Sequence, residues 1–316
     1  MSEQLFPQTV IAVLWDFDRT LSPGYMQEPL FAHFDVDPGV FWAETNGLAQ
    51  RYRAAGLAHV SEDTMYLNHM LTYVETGRFP GLDNALLREL GAKVPLYPGV
   101  PEIFARLRSV VAQPAFERHG ITVEHHILSN GLYQMIAGSP VSDQVDGVWA
   151  CEFIEDPAPP GFLDTPPPER PRQLRQLGYV LDNTTKTRAI FEINKGSNAE
   201  PAIGVNDAIP PEQRRVPMDQ MIYVADGPTD IPGFSVVRRG GGRTYAVYGR
   251  GDTRAFRKAK NLSEQQRVDD FGEADYLPAS HTSMWLEATL TAIAERIAGR
   301  RDTLRDHSLG KPPGHR

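Results

Sequence analysis

Val10-Ile11-Ala12-Val13-Leu14-Trp15-Asp16-Phe17-Asp18 is the stretch whose reading decides the fold. Its first five residues are an unbroken apolar run too short for a helix, which suits a strand covered on both faces. The run ends in two carboxylates two positions apart, and two acids projecting from a sheet edge into one cavity are costly unless a cation lies between them. Alone, an Asp-x-Asp is ordinarily a solvated turn or an acidic helix cap. A calcium loop is a weaker reading, because it needs a third oxygen ligand and then glycine where this chain has Thr20 and Leu21.

Working outward, a second strand is expected from Ile121 to Leu128, interrupted by Glu124, His125 and His126, and it stops at Ser129-Asn130-Gly131. A third, Met221 to Ala225, stops at Asp226-Gly227-Pro228-Thr229-Asp230. Each strand delivers small polar or acidic residues at its C-terminal end, where open α/β sheets place their ligands. Tyr245 to Tyr248 and Ala274 to Leu277 are weaker strand candidates. Pro101-Glu102 opens a helix with Ile103, Leu107, Val110 and Val111 at helical spacing, the expected crossover between strands. Leu286, Leu290, Ile293 and Ile297 form another helical stripe, stopped by Gly299, and the polar stretch from Arg300 to Arg316 is expected to fray.

From about Ser22 to Pro95 no strand is predicted. Leu67, Met70, Leu71 and Val74 form a stripe after a cap at Ser61, and so long a block before the crossover is expected to pack as its own small helical unit. Asp156 to Pro171 and Lys195 to Pro217 read as loops. Among the 316 residues, 40 acidic side chains face 32 basic ones for a net charge of −8, so no electrostatic footprint for a phosphate backbone exists and no nucleic-acid partner is expected. No apolar run approaches the roughly 18 residues of a membrane span, and the start Met1-Ser2-Glu3-Gln4 lacks a basic opening, so no membrane partner is expected. Cys151 is the sole cysteine, which excludes an intrachain disulfide and fits a reducing, cytoplasmic location.

Mg²⁺ is usually held by one or two carboxylates plus waters and a phosphate oxygen, so acids at two neighbouring strand ends suit it, whereas zinc would want His or Cys. His125 and His126 adjoin the second strand end, but adjacent strand positions face opposite ways, so they read as structural. A phosphate dianion repels an attacking carboxylate unless donors and cations surround it. Ser129 and the backbone N–H groups of Asn130 and Gly131 supply neutral donors. For the cation, only Lys186 and Lys195 lie between the second and third strand ends. Lys186 precedes the stripe Ile190, Ile193, near a helix start where phosphate binds, and Lys195 reads as a charge at that helix's C-terminus.

Asp16-Phe17-Asp18-Arg19-Thr20-Leu21, Ser129-Asn130-Gly131, Lys186, and Asp226-Gly227-Pro228-Thr229-Asp230 together resemble the four ordered motifs of the haloacid dehalogenase superfamily. The match runs from the first strand to about residue 250. It implies an α/β fold: a Rossmann-like three-layer core with a mostly parallel sheet, residues 1–21 and 96–298, plus a helical cap, residues 22–95, and a flexible tail, residues 299–316. The cap position, Tyr97-Pro98-Gly99-Val100 and Val148-Trp149-Ala150-Cys151-Glu152 are similar to the phosphoserine phosphatase branch.

By that resemblance Asp16 is the nucleophile that becomes an aspartyl-phosphate, and Asp18 is the acid and base whose backbone carbonyl helps hold Mg²⁺. Asp226 is a second carboxylate ligand, Asp230 orients a metal-bound water or Lys186, and Ser129 and Lys186 hold the phosphoryl oxygens. Thr20, Asn130, Gly131, Tyr25 and Met26 are the expected substrate contacts, the last two because they follow the catalytic loop. Asp18 favours phosphate chemistry over dehalogenation, which needs no acid for an alkoxide. The expectation is an Mg²⁺-dependent hydrolase of a small-molecule phosphate ester. A phosphotransferase or mutase, and a non-enzymatic phospho-acceptor switch, are the alternatives.

In one place the chain departs from that branch. Phosphoserine phosphatases carry a glutamate shortly after the first motif that holds the substrate amine. This chain reads Ser22-Pro23-Gly24-Tyr25-Met26 there, with Glu28 displaced, which argues against serine phosphate. Arg238-Arg239-Gly240-Gly241-Gly242-Arg243 lacks the Gly-Lys-Ser/Thr ending of a phosphate loop and reads as a basic turn. The aromatic residues Tyr25, Phe31, Phe34, Phe41 and Trp42 read mainly as core of the inserted unit, with some left to face substrate.

Overall fold

A computed structural model describes residues 6–164 and 171–309. Seven strands, β1 (Val10–Trp15), β2 (Thr122–Leu132), β3 (Gly147–Ile154), β4 (Gln176–Tyr179), β5 (Met221–Ala225), β6 (Arg243–Tyr248) and β7 (Asp270–Glu273), form one sheet in the order β4-β3-β2-β1-β5-β6-β7. Every neighbouring pair is parallel except β3 and β4. The order reverses direction between β1 and β5, and a crevice opens at such a switch point outside the carboxyl ends of the strands. Asp16 follows β1 and Asp226 follows β5, so the fold brings both acids to that crevice.

Four helices lie between β1 and the crossover: α1 (Glu28–His33), α2 (Pro38–Ala54), α3 (Met65–Glu75) and α4 (Asn84–Gly91). After them come α5 (Glu102–Val111), α6 (Pro114–Glu117), α7 (Tyr133–Gly138), α8 (Thr185–Lys195), α9 (Ile231–Arg239), α10 (Thr253–Glu264) and α11 (His281–Leu309). β1 shows why the sheet has two covered faces. Ile11, Val13 and Trp15 pack with the α5, α7 and α11 side, while Ala12 and Leu14 pack with α8, α9 and α10. No helix among the described residues is long and apolar enough to cross a membrane.

Three expectations need correction, and one strand went unforeseen. Strand β2 does not stop at Leu128; it runs through Ser129-Asn130-Gly131 to Leu132, with its register against β3 shifting between Leu128 and Leu132. The last strand is Asp270–Glu273 rather than Ala274 to Leu277, because buried Ala274 and Tyr276 belong to the core beyond the strand's end. β4 falls in a stretch with too little apolar pattern to reveal it, pairing as an antiparallel edge. Gly299 does not stop the final helix, which continues to Leu309; an added methyl there would meet open space, and the backbone stays helical. Residues 310–316 of the expected tail lie outside the described residues. Phe31, Phe41, Leu67 and Met70 of the inserted helices join the same buried cluster as Ile11 and Trp15.

The joint between insertion and sheet is tightest where α4 crosses α7. A methyl on Gly91 would overlap the backbone carbonyl of Met135, and one on Gly138 would overlap the backbone carbonyl of Arg88. No rotamer change relieves a clash with backbone, so Gly138→Ala is expected to lower stability by about 2 kcal/mol, read as a lower urea midpoint. An unchanged midpoint would mean the two helices are not held at this distance.

Elsewhere, buried side chains tie loops to strands. His125 accepts from the Trp15 indole N–H (3.2 Å) at Nδ1 and donates from Nε2 to the Phe104 carbonyl (3.1 Å), and burial pushes its pKa down to about 3. His126 faces the other way and meets Glu124 at 3.1 Å. Glu124 also takes a two-pronged grip from Arg215, and Lys195 donates to the carbonyls of Val205 and Asp207, so both ends of the 195–217 loop are fastened. Burial alone would raise the Glu124 pKa, but His126 and Arg215 bring it down to about 2. A depressed carboxylate adds stability above its ordinary value of 4.5 that disappears as the pH falls toward 2. Glu124→Gln is expected to cost on the order of 2 kcal/mol at pH 7 and much less near pH 2.5. Equal losses at both pH values in denaturant titrations would count against this anchor.

The C-terminal part also reaches the first motif. Tyr276 donates its hydroxyl to the Thr20 carbonyl (2.7 Å) and its N–H to the Pro98 carbonyl (2.8 Å), while Tyr97 N–H donates to the Leu21 carbonyl (2.9 Å).

Candidate active site

The chain turns sharply after β1 because Arg19 adopts a left-handed backbone, φ 61°, which is uncommon outside glycine. The N–H groups of Thr20, Leu21 and Ser22 thereby all point at the Phe17 carbonyl, at 3.2, 2.8 and 3.1 Å. Asp16 and Asp18 are left at the head of this loop. Lys186, in the first turn of α8 and 1% exposed, donates from Nζ to Asp16 Oδ1 (2.8 Å) and Asp230 Oδ1 (2.7 Å). Asp230, fully buried, also accepts from the Tyr223 hydroxyl (2.5 Å) and the Thr229 hydroxyl (3.1 Å). Tyr223 was not singled out in the sequence; its place in an apolar strand hides its role.

Carboxylate oxygens of Asp16, Asp226 and Asp230 lie within 4.8 Å of one another. Burial, against the pull of Lys186, pushes the Asp16 carboxyl up to about 6. Burial and the charges of Asp16 and Asp230 push Asp226 up to about 7. Burial, then the Asp16 charge, lifts Asp18 well above the usual carboxylate range. Burial would lower the Lys186 pKa, but Asp16 and Asp230 outweigh it and hold the ammonium charged. One ammonium among four acids leaves the cluster short of positive charge, and its donors are all carboxylate oxygens. That donor set fits a hard divalent cation such as Mg²⁺ and not zinc.

Asp16, Asp18, Lys186 and Asp226 line a cavity of about 500 Å³ together with Ser129, Asn130 and Gly131, and Asp230 lies buried behind them. Ser129 is buried, and its Oγ accepts from the Gly131 N–H (3.0 Å). Gly131 has no room for a side chain, because the Met26 thioether occupies that space. Two expected substrate contacts are therefore misplaced. Met26 is a core residue whose sulfur accepts from the Leu132 N–H (3.0 Å), and it serves the site through its own backbone N–H, which donates to Asp18 Oδ1 (2.9 Å). Thr20 is also fully buried and lies behind the nucleophile, its hydroxyl 3.3 Å from Asp16 Oδ2. Tyr25 does line the cavity, and so does Asn130.

The inserted segment adds Trp42, Asn46, Asp63 and Tyr66 to the lining. The aromatic residues read as one group divide here. Phe31 and Phe41 are core, with Phe34 half-buried against it, whereas Tyr25 and Trp42 face the cavity, ring centroids 5.3 Å apart, and Tyr66 continues the wall 5.9 Å beyond Trp42. Tyr66 donates its hydroxyl to the Asn130 carbonyl (2.5 Å), and Asn130 Nδ2 donates to Asn183 Oδ1 (3.0 Å), whose amide reaches Asp63 (2.7 Å). The Ser129–Gly131 turn is thus fastened to the insertion. Helical spacing hid Trp42 and Tyr66 among core positions. Glu28 opens onto a different cavity beside His33 and Lys93. The Arg238–Arg243 stretch runs from the end of α9 into the start of β6, and since β6 runs parallel to β5 it lies at the end of the sheet opposite the carboxyl ends that carry these groups.

No family model matches the chain. A protein of Borreliella burgdorferi described only as uncharacterized is 36% identical over 283 residues, covering 88% of this chain and 96% of that one. Among solved structures, a probable phosphoserine phosphatase from Vibrio cholerae aligns at 13% identity and TM-score 0.48 over 93% of this chain and 69% of the other. A hydrolase of the haloacid dehalogenase family from Salmonella enterica serovar Typhi aligns at 14% identity and TM-score 0.46, over 85% and 68%. A phosphoserine phosphatase carrying an analogue of its phospho-aspartyl intermediate gives 14% and 0.46, over 83% and 93%. Likeness at this level says nothing of substrate.

Proposed function

We propose that the chain, which belongs to one family with the Borreliella protein, is a haloacid dehalogenase superfamily member whose four motifs meet at one cavity, and that it hydrolyses a small phosphate monoester through a phosphorylated Asp16. The observation that carries this reading is the Lys186 ammonium held between Asp16 and Asp230 at the C-terminal ends of β1 and β5. Asp16, Asp226 and the Asp18 backbone carbonyl would hold Mg²⁺, with Asp230 behind them, and the ion would neutralise charge on the phosphoryl oxygens.

The chain's own groups account for the proton and bond changes. An Asp16 carboxylate oxygen attacks phosphorus and the ester P–O bond breaks, while Asp18, whose carboxyl burial pushes well above the usual range, gives a proton to the leaving oxygen. Water then attacks the phosphorus, Asp18 takes the water's proton, and Asp16 leaves as carboxylate. Lys186, Ser129 and the N–H groups after it orient the phosphoryl oxygens throughout. Helices α1–α4 act as a cap over the cavity, excluding bulk water and selecting the leaving group.

A phosphate-release screen over a metabolite panel, with Mg²⁺ and again after chelation, tests this reading. Turnover untouched by chelation removes the metal from it, and phosphate passed to an added alcohol in place of water marks a phosphotransferase.

A further inference from the structure

The Asn130–Gly131 peptide lies where β2 passes the cavity, between Leu128 and Leu132, and neither residue has a paired position on β1 or β3. Its polar groups find partners elsewhere. The Tyr66 hydroxyl, from the first turn of α3, donates to the Asn130 carbonyl (2.5 Å), and the Cys151 thiol, a weaker donor, stands 3.4 Å from the same oxygen. At the other edge of that peptide the Gly131 N–H donates to Ser129 Oγ (3.0 Å). The bond is trans, so carbonyl and N–H belong to one rigid plane and point opposite ways. Fixing the oxygen fixes the direction of the N–H.

That direction governs Ser129. A hydroxyl has one hydrogen to donate and two lone pairs that accept. The Gly131 N–H engages one lone pair, and the hydroxyl hydrogen meets no acceptor among the described residues. Ser129 lines the cavity, so its O–H is left to donate to a phosphoryl oxygen arriving there. Hydrogen bonds in series also polarise one another, so a donor on the carbonyl strengthens what the N–H gives to the serine.

Resting on the phosphatase reading, we propose that Tyr66 is a positioning residue for Ser129: through the Asn130–Gly131 peptide, its hydroxyl holds the serine O–H toward the phosphoryl group. The phosphate end of the site is then completed by a side chain of the inserted helices. The Asn130 side chain is tied to the same region separately, through Asn183 to Asp63. Removing the Tyr66 hydroxyl therefore leaves the insertion seated and alters the peptide.

The test is a double-mutant cycle of Tyr66→Phe, which keeps the ring, with Ser129→Ala, which removes the hydroxyl that the peptide directs. It is read as kcat/KM with Mg²⁺ for acetyl phosphate and p-nitrophenyl phosphate, and as calorimetric binding of inorganic phosphate with Mg²⁺. Tyr66→Phe alone is expected to lower kcat/KM roughly tenfold, and equally for both substrates, because the loss falls on the phosphoryl group they share. Phosphate binding is expected to weaken with it. In the Ser129→Ala background the same change is expected to lower either quantity by less than about twofold, since no hydroxyl remains to be directed. Losses of the same size in both backgrounds, as a merely structural Tyr66 would give, or no loss in the parent, overturn the inference and leave the phosphatase reading standing. If the parent turns over neither substrate, that reading fails and the phosphate-binding cycle still decides the inference: coupled losses uphold it, and additive losses or no binding end it.

Discussion

Asp16→Asn is expected to cut phosphate release by at least about 10³-fold, the scale on which removal of an attacking group acts, while the folded protein survives unharmed. The amide oxygen can still accept from Lys186, and one of the crowded buried charges is gone, so the metal-free melting temperature should hold or rise. That pairing of outcomes separates chemistry from stability. A variant that loses activity only because it unfolds would melt lower, and a variant that keeps turnover within tenfold of the parent would end the assignment of Asp16 as nucleophile. Steady-state assays and a thermal melt on the same preparation supply both readings.

A second large effect links the cation to pH. The Asp16 and Asp226 carboxyls titrate near 6 and near 7 in the fold, against an ordinary value of 3.8. Their folded values are raised, so their ionisation opposes folding: the cost is absent below about pH 4 and complete only above about pH 7. A divalent ion needs both groups ionised and offsets that cost. Mg²⁺ at 100 times its dissociation constant should therefore stabilise the protein by about 3 kcal/mol at pH 8, with a shift near zero at pH 5. Melting curves with and without Mg²⁺ across that range check it. A shift of equal size at both ends would mean that these carboxylates do not hold the ion.

The acids and the lysine were legible because each sits where a buried strand or a helix stripe changes character, and position along the chain was enough to place them on one edge. Asp16, Asp226, Ser129 and Lys186 needed no knowledge of packing. Thr20 and Met26 were misread for the opposite reason. Both stand within the loop that carries the acids, but the left-handed turn at Arg19 and the space vacated by Gly131 send their side chains inward, and neither event has a local sequence signature. Trp42 and Tyr66 were hidden differently. A helix that covers a cavity presents one face to the core and part of another to the void, and apolar spacing alone cannot tell the two apart. The edge strands β4 and β7, four residues each, fell below the length at which alternation can be recognised.

The bond from the Tyr276 hydroxyl to the Thr20 carbonyl makes the nucleophile's loop depend on a residue 256 positions later in the chain. While the polypeptide is still being made on the ribosome, the acids of the first motif are present early, yet the brace that steadies their loop arrives only with Tyr276. A chain cut short before Tyr276 would lack that bond, leaving the loop of Asp16 and Asp18 steadied by its own turn and by the Tyr97 N–H on the Leu21 carbonyl.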